Sequence, residues 1–243
     1  MPAKVDLRGR VALITGAGGG IGRAIALRLS EAGMRLALVG RDAEKLRATA
    51  ALTGRAEDML VLPADLTRDG AAAEVLTATA ARFGGLDALV NNAGMALSCP
   101  FEDTDIADFD RIMAINVRAP FLLCQGALPL LRKSACPVIV NLGSVVSHKG
   151  YALQSAYAAS KHALLGMSAA LSKEVAPEGI RVHVVSPGGV YTDMVKIARP
   201  DLSPEGMIVP EEVAEAVAFL IEHRGNAVID EIQLHRAGKE PFL

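Results

Sequence analysis

Five glycines occupy seven consecutive positions in Gly16-Ala17-Gly18-Gly19-Gly20-Ile21-Gly22, directly after the apolar run Val11-Ala12-Leu13-Ile14 and Thr15. An apolar run of that length bounded by glycine reads as a buried strand. The periodic stretch that follows, Ile21–Glu31, reads as a helix. Glycine lets a backbone approach a ligand with no Cβ in the way. The helix beyond turns its free N–H groups and positive dipole end toward an anion. The spacing therefore predicts a strand, a turn that cradles a pyrophosphate, and a helix.

The same alternation runs along the whole chain. Further apolar runs at Arg35–Val39, Met59–Leu62, Ala88–Asn91, Val138–Leu142, Arg181–Ser186 and Val228–Leu234 predict six more strands. Helical patterns at Ala43–Leu52, Ala71–Phe83, Asp105–Leu131, Ser155–Val175 and Pro210–Glu222 lie between them. Strands that are apolar throughout need cover on both faces. The expectation is an α/β, doubly wound Rossmann-type fold with a mostly parallel sheet of about seven strands and helices on both faces. No linker or repeat divides the 243 residues, so residues 1–243 are expected to form a single domain. In such a sheet ligands bind beyond the carboxyl ends of the strands. Gly16–Gly22, Ala93–Pro100 and Pro187–Pro210 fall there.

Composition narrows the class. Hydrophobic residues make up 51%, which supports a sizeable core, and a net charge of −2 with scattered Lys and Arg gives no nucleic-acid footprint. No stretch reaches about 18 uninterrupted apolar residues, since Gln125, Gly126 and Pro129 break the most apolar one, and the N-terminus carries no signal-type run. A cytoplasmic protein with no membrane partner is expected. Cys99, Cys124 and Cys136 match no metal or redox spacing and read as buried hydrophobes in a reducing compartment. The five histidines are scattered, so no metal is expected.

Two features speak to chemistry. The second strand ends Leu38-Val39-Gly40-Arg41, with no acid at Gly40 to bind ribose hydroxyls and select NAD. Arg41 can instead pair with a 2′-phosphate, or with Asp42 or Glu44 as a surface residue. Tyr157-Ala158-Ala159-Ser160-Lys161 places a phenol and an ammonium on one helical face, where the cation would lower the Tyr157 pKa. Thirteen residues upstream, Ser144 closes the fifth strand, where its hydroxyl can hold a substrate oxygen; of the competing serines, Ser147 lies beyond the strand end and Ser155 reads as the cap of the Tyr157 helix.

Thr15-Gly16-x-x-x-Gly20-Ile21-Gly22 departs from G-x-G-x-x-G and resembles the short-chain dehydrogenase/reductase family in its compact single-domain branch. Ser144, Tyr157 and Lys161 reproduce the spacing of that family's catalytic triplet. The likeness extends through Thr192-Asp193-Met194. It implies an oxidoreductase moving a hydride between NADP(H), with NAD(H) possible, and a small-molecule carbonyl or secondary alcohol. Tyr157 would be general acid or base, Lys161 would tune it and contact the cofactor, and Ser144 and Tyr157 would bind substrate. The resemblance gives Asn116 the task of holding a water that continues the proton path from Lys161; a purely structural amide is the other reading. Pro120 has no N–H to bond the Asn116 carbonyl, which frees that oxygen.

The cofactor contacts implied are Gly16, Gly20, Ile21 and Gly22 in the turn, Arg41, and Asp65 with Leu66 at the adenine. Asp65 reads equally as a helix cap. Asn91, Ala93 and Gly94 of the Asn91-Asn92-Ala93-Gly94 turn, and Pro187, Gly188, Val190 and Thr192 after the sixth strand, complete the set. Family members form dimers or tetramers through helices matching Asp105–Leu131 and Ser155–Val175, so a homo-oligomer, in its fullest form a homotetramer, is implied. Residues 188–209 would form a substrate lid whose shortness suggests an open pocket, with Tyr191, Met194 and Met207 near it. The ending Ile229-Asp230-Glu231-Ile232-Gln233-Leu234 differs from the V-D-G-G-like ending of many acyl-carrier-protein reductases and counts against a 3-oxoacyl thioester. An NAD-dependent alcohol dehydrogenase of the same family is one alternative. A catalytically silent NADP(H)-binding regulatory protein is another, and the presence of all four of Asn116, Ser144, Tyr157 and Lys161 opposes it.

Overall fold

A computed structural model of the chain describes residues 4–193, 195 and 203–239. Seven strands form one sheet in the order β3-β2-β1-β4-β5-β6-β7, and every neighbouring pair is parallel. The strands are β1 (Val11–Thr15), β2 (Arg35–Gly40), β3 (Met59–Pro63), β4 (Ala88–Asn91), β5 (Val138–Leu142), β6 (Arg181–Pro187) and β7 (Glu231–Leu234). The main helices are α1 (Gly20–Glu31), α2 (Ala43–Leu52), α3 (Ala71–Phe83), α4 (Ile106–Met113), α5 (Ala119–Leu131), α6 (Ser155–Val175) and α7 (Pro210–Glu222).

β1 shows why these strands are apolar at every position. Ala12 and Ile14 pack on one face with Ile25, Leu29, Val217 and Ile221 of α1 and α7. Val11 and Leu13 pack on the other with Val75, Leu76, Leu123 and Leu131 of α3 and α5. Both faces are covered, as parallel sheets require. The chain order reverses between β1 and β4, which opens a crevice at their carboxyl ends.

Three expectations change in detail. The last strand begins at Glu231, not Val228, whose side chain is exposed. The helix expected over Asp105–Leu131 is interrupted by a π-turn at Ala114–Arg118, where the Ala119 amide donates to the Ala114 carbonyl five residues back. Pro120 follows immediately and cannot restore the α-helical bond to Asn116. Ser155 does not cap α6: Gln154 holds the cap position, and no side chain bonds the free amides.

The run Ile106–Leu131 is, among the described residues, long and apolar enough to cross a membrane by length and composition. In the fold Leu123, Ala127 and Leu131 of this run are buried in the core against α3.

Of the expected lid, Met194 and residues 196–202 lie outside the described residues. Its base is pinned: the Tyr191 amide donates to the Ile208 carbonyl at 2.9 Å and the Ile208 amide to the Gly189 carbonyl at 3.1 Å. Cys124 and Cys136 are buried, while Cys99 is partly exposed.

Candidate active site

The crevice begins with a clamp between β1 and β4. The Thr15 hydroxyl accepts from the amides of Asn92 and Ala93, both at 2.9 Å. The Asn92 side-chain amide returns a 2.8 Å bond to the Thr15 carbonyl and a 3.3 Å bond to that of Gly16. Sequence reasoning passed over Asn92 in favour of Asn91. The available signal was the strand end: Asn91 is the last residue of β4, so Asn92 is the first free to face the switch point.

The glycine turn is shaped by what it excludes. A Cβ on Gly22 would stand 2.2 Å from the Gly16 carbonyl oxygen, and one on Gly16 would stand 2.7 Å from Asn92 Nδ2. Gly16 also has φ +68, a left-handed conformation that favours glycine. α1 starts at Gly20 with no side-chain cap and no acid in its first turn. By contrast, Asp42 and Asp105 cap α2 and α4. The amides at the start of α1 are therefore left for an external anion. This cradle fits the pyrophosphate of a dinucleotide.

A cavity of about 530 Å³ runs from Gly16, Gly20 and Ile21 past Ala93 and Gly94 to Ser144, Tyr157 and Lys161, closed by Pro187, Gly188, Val190 and Thr192. A second of about 390 Å³, sharing Gly18, Gly19, Lys45 and Met95 with the first, reaches Arg41, Asp65 and Leu66. Together they form one cleft. Thr192 meets the glycine turn directly, its Cγ2 lying 3.1 Å from where a Gly20 Cβ would stand.

Three expected site residues do not line this cleft. Gly22 is a packing glycine behind the turn. Asn91 is buried, and its Nδ2 donates to Asn141 Oδ1 at 2.8 Å, tying β4 to β5. Asn116 is fully buried: its Oδ1 accepts from the Met95 amide, and its Nδ2 donates to the Met95 carbonyl and to Ser160 Oγ, each at 2.9 Å. Ser160 in turn donates to the Tyr157 carbonyl at 2.7 Å. The amide thus braces the π-turn against α6, and its side-chain hydrogen bonds are met by Met95 and Ser160.

At the far end, the Lys161 ammonium donates to the Leu142 carbonyl at 2.7 Å and lies 5.8 Å from the centre of the Tyr157 ring. Burial pushes the Lys161 pKa down to about 8. The expected lowering of the Tyr157 pKa is not found. Burial raises it, because a phenolate is poorly solvated there, and a hydrogen bond with Ser144 acts in the opposite direction. The Ser144 hydroxyl also accepts from the Val146 amide at 3.3 Å, and the Ser144 amide donates to Ser147 Oγ at 3.2 Å. Ser147 therefore supports the loop and does not compete with Ser144. Asp65 takes both the amide (3.0 Å) and hydroxyl (2.7 Å) of Thr67, which hold its pKa below the usual carboxylate value. It fixes its own turn and still faces the cleft.

Residues 10–203 match the short chain dehydrogenase family, and the chain belongs to it. Levodione reductase of Leifsonia aquatica is 38% identical over 210 residues, which cover 85% of this chain and 78% of that protein. The crystal structure of a metagenomic short-chain oxidoreductase in complex with NADP superposes with a TM-score of 0.84 at 32% identity, covering 96% of this chain and 100% of that one. A 3-ketoacyl-(acyl-carrier-protein) reductase from Brucella melitensis, complexed with NADH, gives 0.85 at 29% identity over 94% and 97%. The chain is thus an oxidoreductase with a Rossmann-like fold, of a family that binds a nicotinamide cofactor and acts on small molecules.

Proposed function

We propose that this chain is an NADP(H)-dependent oxidoreductase acting on a carbonyl compound or the matching secondary alcohol. One observation carries the reading: a single continuous cleft joins an uncapped helix start ringed by glycine to Ser144, Tyr157 and Lys161. When bound, the cofactor supplies or takes up the hydride at the substrate carbon.

The chain's own residues do the rest. The amides at the start of α1 hold the pyrophosphate, and Val190 and Thr192 fix the carboxamide end. Ser144 holds the substrate oxygen and orients it. Tyr157 donates a proton to that oxygen in reduction, or accepts one in oxidation. Lys161 contributes positive charge beside the Tyr157 ring and holds the cofactor ribose. Asn116 keeps the π-turn seated against α6, with its freed carbonyl available to a water on the proton path.

Arg41 favours NADP(H). It lines the cleft, and among the described residues it has no ion-pair partner, because Glu44 pairs with Arg47 and Asp42 caps α2. The similarity to levodione reductase makes levodione the first substrate to try. The second reading, NAD(H), rests on the NADH complex of the Brucella relative. A homo-oligomer packed through α4–α5 and α6 goes with the family reading.

The test is NADPH oxidation with a panel of cyclic and linear ketones, for the parent chain and Tyr157→Phe. Loss of acid–base assistance should cost about 10²- to 10⁴-fold in turnover. Near-parental turnover in the variant removes Tyr157 from the chemistry.

A further inference from the structure

A phosphomonoester carries a charge between about −1.5 and −2 at neutral pH, more than one guanidinium neutralises. The glycine turn supplies no second cation, since the position before Gly20 is Gly19. The structure brings one from elsewhere. Lys45, in the first turn of α2, lines both halves of the cleft beside Gly18 and Gly19, while Arg41 lines the adenosine half. Helix α2 is pressed against the turn there: a Cβ on Gly18 would stand 3.1 Å from Lys45 Cβ. The stem of Lys45 is thereby fixed at the junction, with its amine free to reach a ligand.

The other charges around this point have partners, including Asp65, which lines the adenosine half with Arg41 and feels its charge but accepts from the amide and hydroxyl of Thr67. Arg23 donates to the Gly18 carbonyl at 2.7 Å and to Thr49 Oγ1 at 3.1 Å. Arg47 pairs with Glu44, and Arg111 with Asp108. Asp42 uses a carboxylate oxygen on the Lys45 amide at 3.1 Å. Among the described residues, neither Arg41 nor Lys45 has a carboxylate within ion-pair distance. The position that would select NAD holds Gly40, so no carboxylate stands there to accept from a ribose hydroxyl, and a Cβ there would touch Leu46 Cδ2 at 3.3 Å.

We infer that Lys45 and Arg41 together form the site for the cofactor's 2′-phosphate, with Lys45 the second specificity-determining cation. The inference rests on the NADP(H) reading above. Arg41 offers a planar fork to two phosphate oxygens, and Lys45 offers a point charge to the third.

The experiment is fluorescence titration of the full chain with NADPH and with NADH, for the parent, Arg41→Ala, Lys45→Gln and Lys45→Arg. Both positions are solvent-exposed, so the substitutions leave the core intact. A hydrogen bond to a charged partner corresponds to about 10- to 100-fold in affinity. Lys45→Gln should lose that much for NADPH, change little for NADH, and be restored by Lys45→Arg. The parent's preference for NADPH should also shrink as salt rises. Parental NADPH affinity in Lys45→Gln, with loss in Arg41→Ala, overturns the role of Lys45 and leaves the NADP(H) reading standing. Equal loss of both cofactors in Lys45→Gln overturns it too, since Lys45 would then serve the shared part of the ligand. A parent that binds NADH as tightly as NADPH overturns the NADP(H) reading and the paired-cation site with it.

Discussion

Lys161 donates a 2.7 Å hydrogen bond to the carbonyl of Leu142, the last residue of β5, and this anchors its ammonium at the end of the cleft lined by Ser144 and Tyr157. Burial at that depth lowers its pKa to about 8 while raising that of Tyr157 above its ordinary value. In the mechanism proposed above, reduction needs Lys161 charged and Tyr157 protonated. As pH rises, the Lys161 charge is lost first. The rate of carbonyl reduction, followed as kcat/KM, should therefore fall as pH rises through about 8. A profile that stays flat through that region would show that the Lys161 charge does not contribute to the reaction.

The same burial makes a stability prediction of opposite sense to the catalytic one. The folded-state pKa of Lys161 lies below its ordinary value of 10.5, so between about 8 and 10.5 the unfolded chain binds more protons. Stability should rise with pH across that window, and at neutral pH the buried ammonium is a net cost. Lys161→Met should abolish turnover and at the same time stabilise the chain at neutral pH by roughly 2–4 kcal/mol, less the lost bond to Leu142. Urea denaturation at neutral pH measures this. A variant less stable than the parent would mean that the Leu142 bond outweighs desolvation.

Much of this architecture was legible in the sequence, because periodicity reports burial. β1, β4, β5, α2, α3, α6 and α7 have the bounds their apolar patterns suggest, and the two-faced burial of Val11 to Ile14 explains why. What escaped the sequence was three-dimensional. Val228 is apolar yet lies on the surface, so composition alone overextended β7. The π-turn depends on which carbonyl Ala119 chooses, and Pro120 only hinted at it. The chain order alone does not say that Asn92 spans to Thr15, or that Lys45 packs on Gly18, because both are contacts between distant segments. The phenol of Tyr157 showed the limit most clearly. The neighbouring cation could be read from a four-residue spacing, but not the desolvation that opposes it.

Asn116 offers a separable test of bracing. Its side chain makes three hydrogen bonds, two to Met95 and one to Ser160, while fully buried. Removing it leaves the part-buried Met95 amide and carbonyl without these partners and Ser160 Oγ without its donor. Asn116→Ala should cost about 2–4 kcal/mol. Ser160→Ala removes one of those contacts and should cost less, about 1 kcal/mol. If both variants fold and differ in that order by urea denaturation, the amide acts chiefly as a brace. If Asn116→Ala keeps parental stability and loses only turnover, its service to the reaction is direct.

Two glycines of the cradle, three positions apart, should respond in opposite ways. A Cβ on Gly22 would stand 2.2 Å from the Gly16 carbonyl oxygen and 2.5 Å from Asn92 Nδ2, with backbone on one side and the β1–β4 clamp on the other. Neither can move without opening the turn, so Gly22→Ala should lower Tm and weaken binding of NADPH and NADH alike. Gly19 has extended backbone, φ −174, and nothing within 4 Å of its would-be Cβ. Gly19→Ala should therefore melt with the parent, and any loss it shows in cofactor titration comes from the added methyl group meeting the ligand. If Gly22→Ala keeps the parental Tm and cofactor affinity, the close packing of α1 on the turn does not shape the cradle.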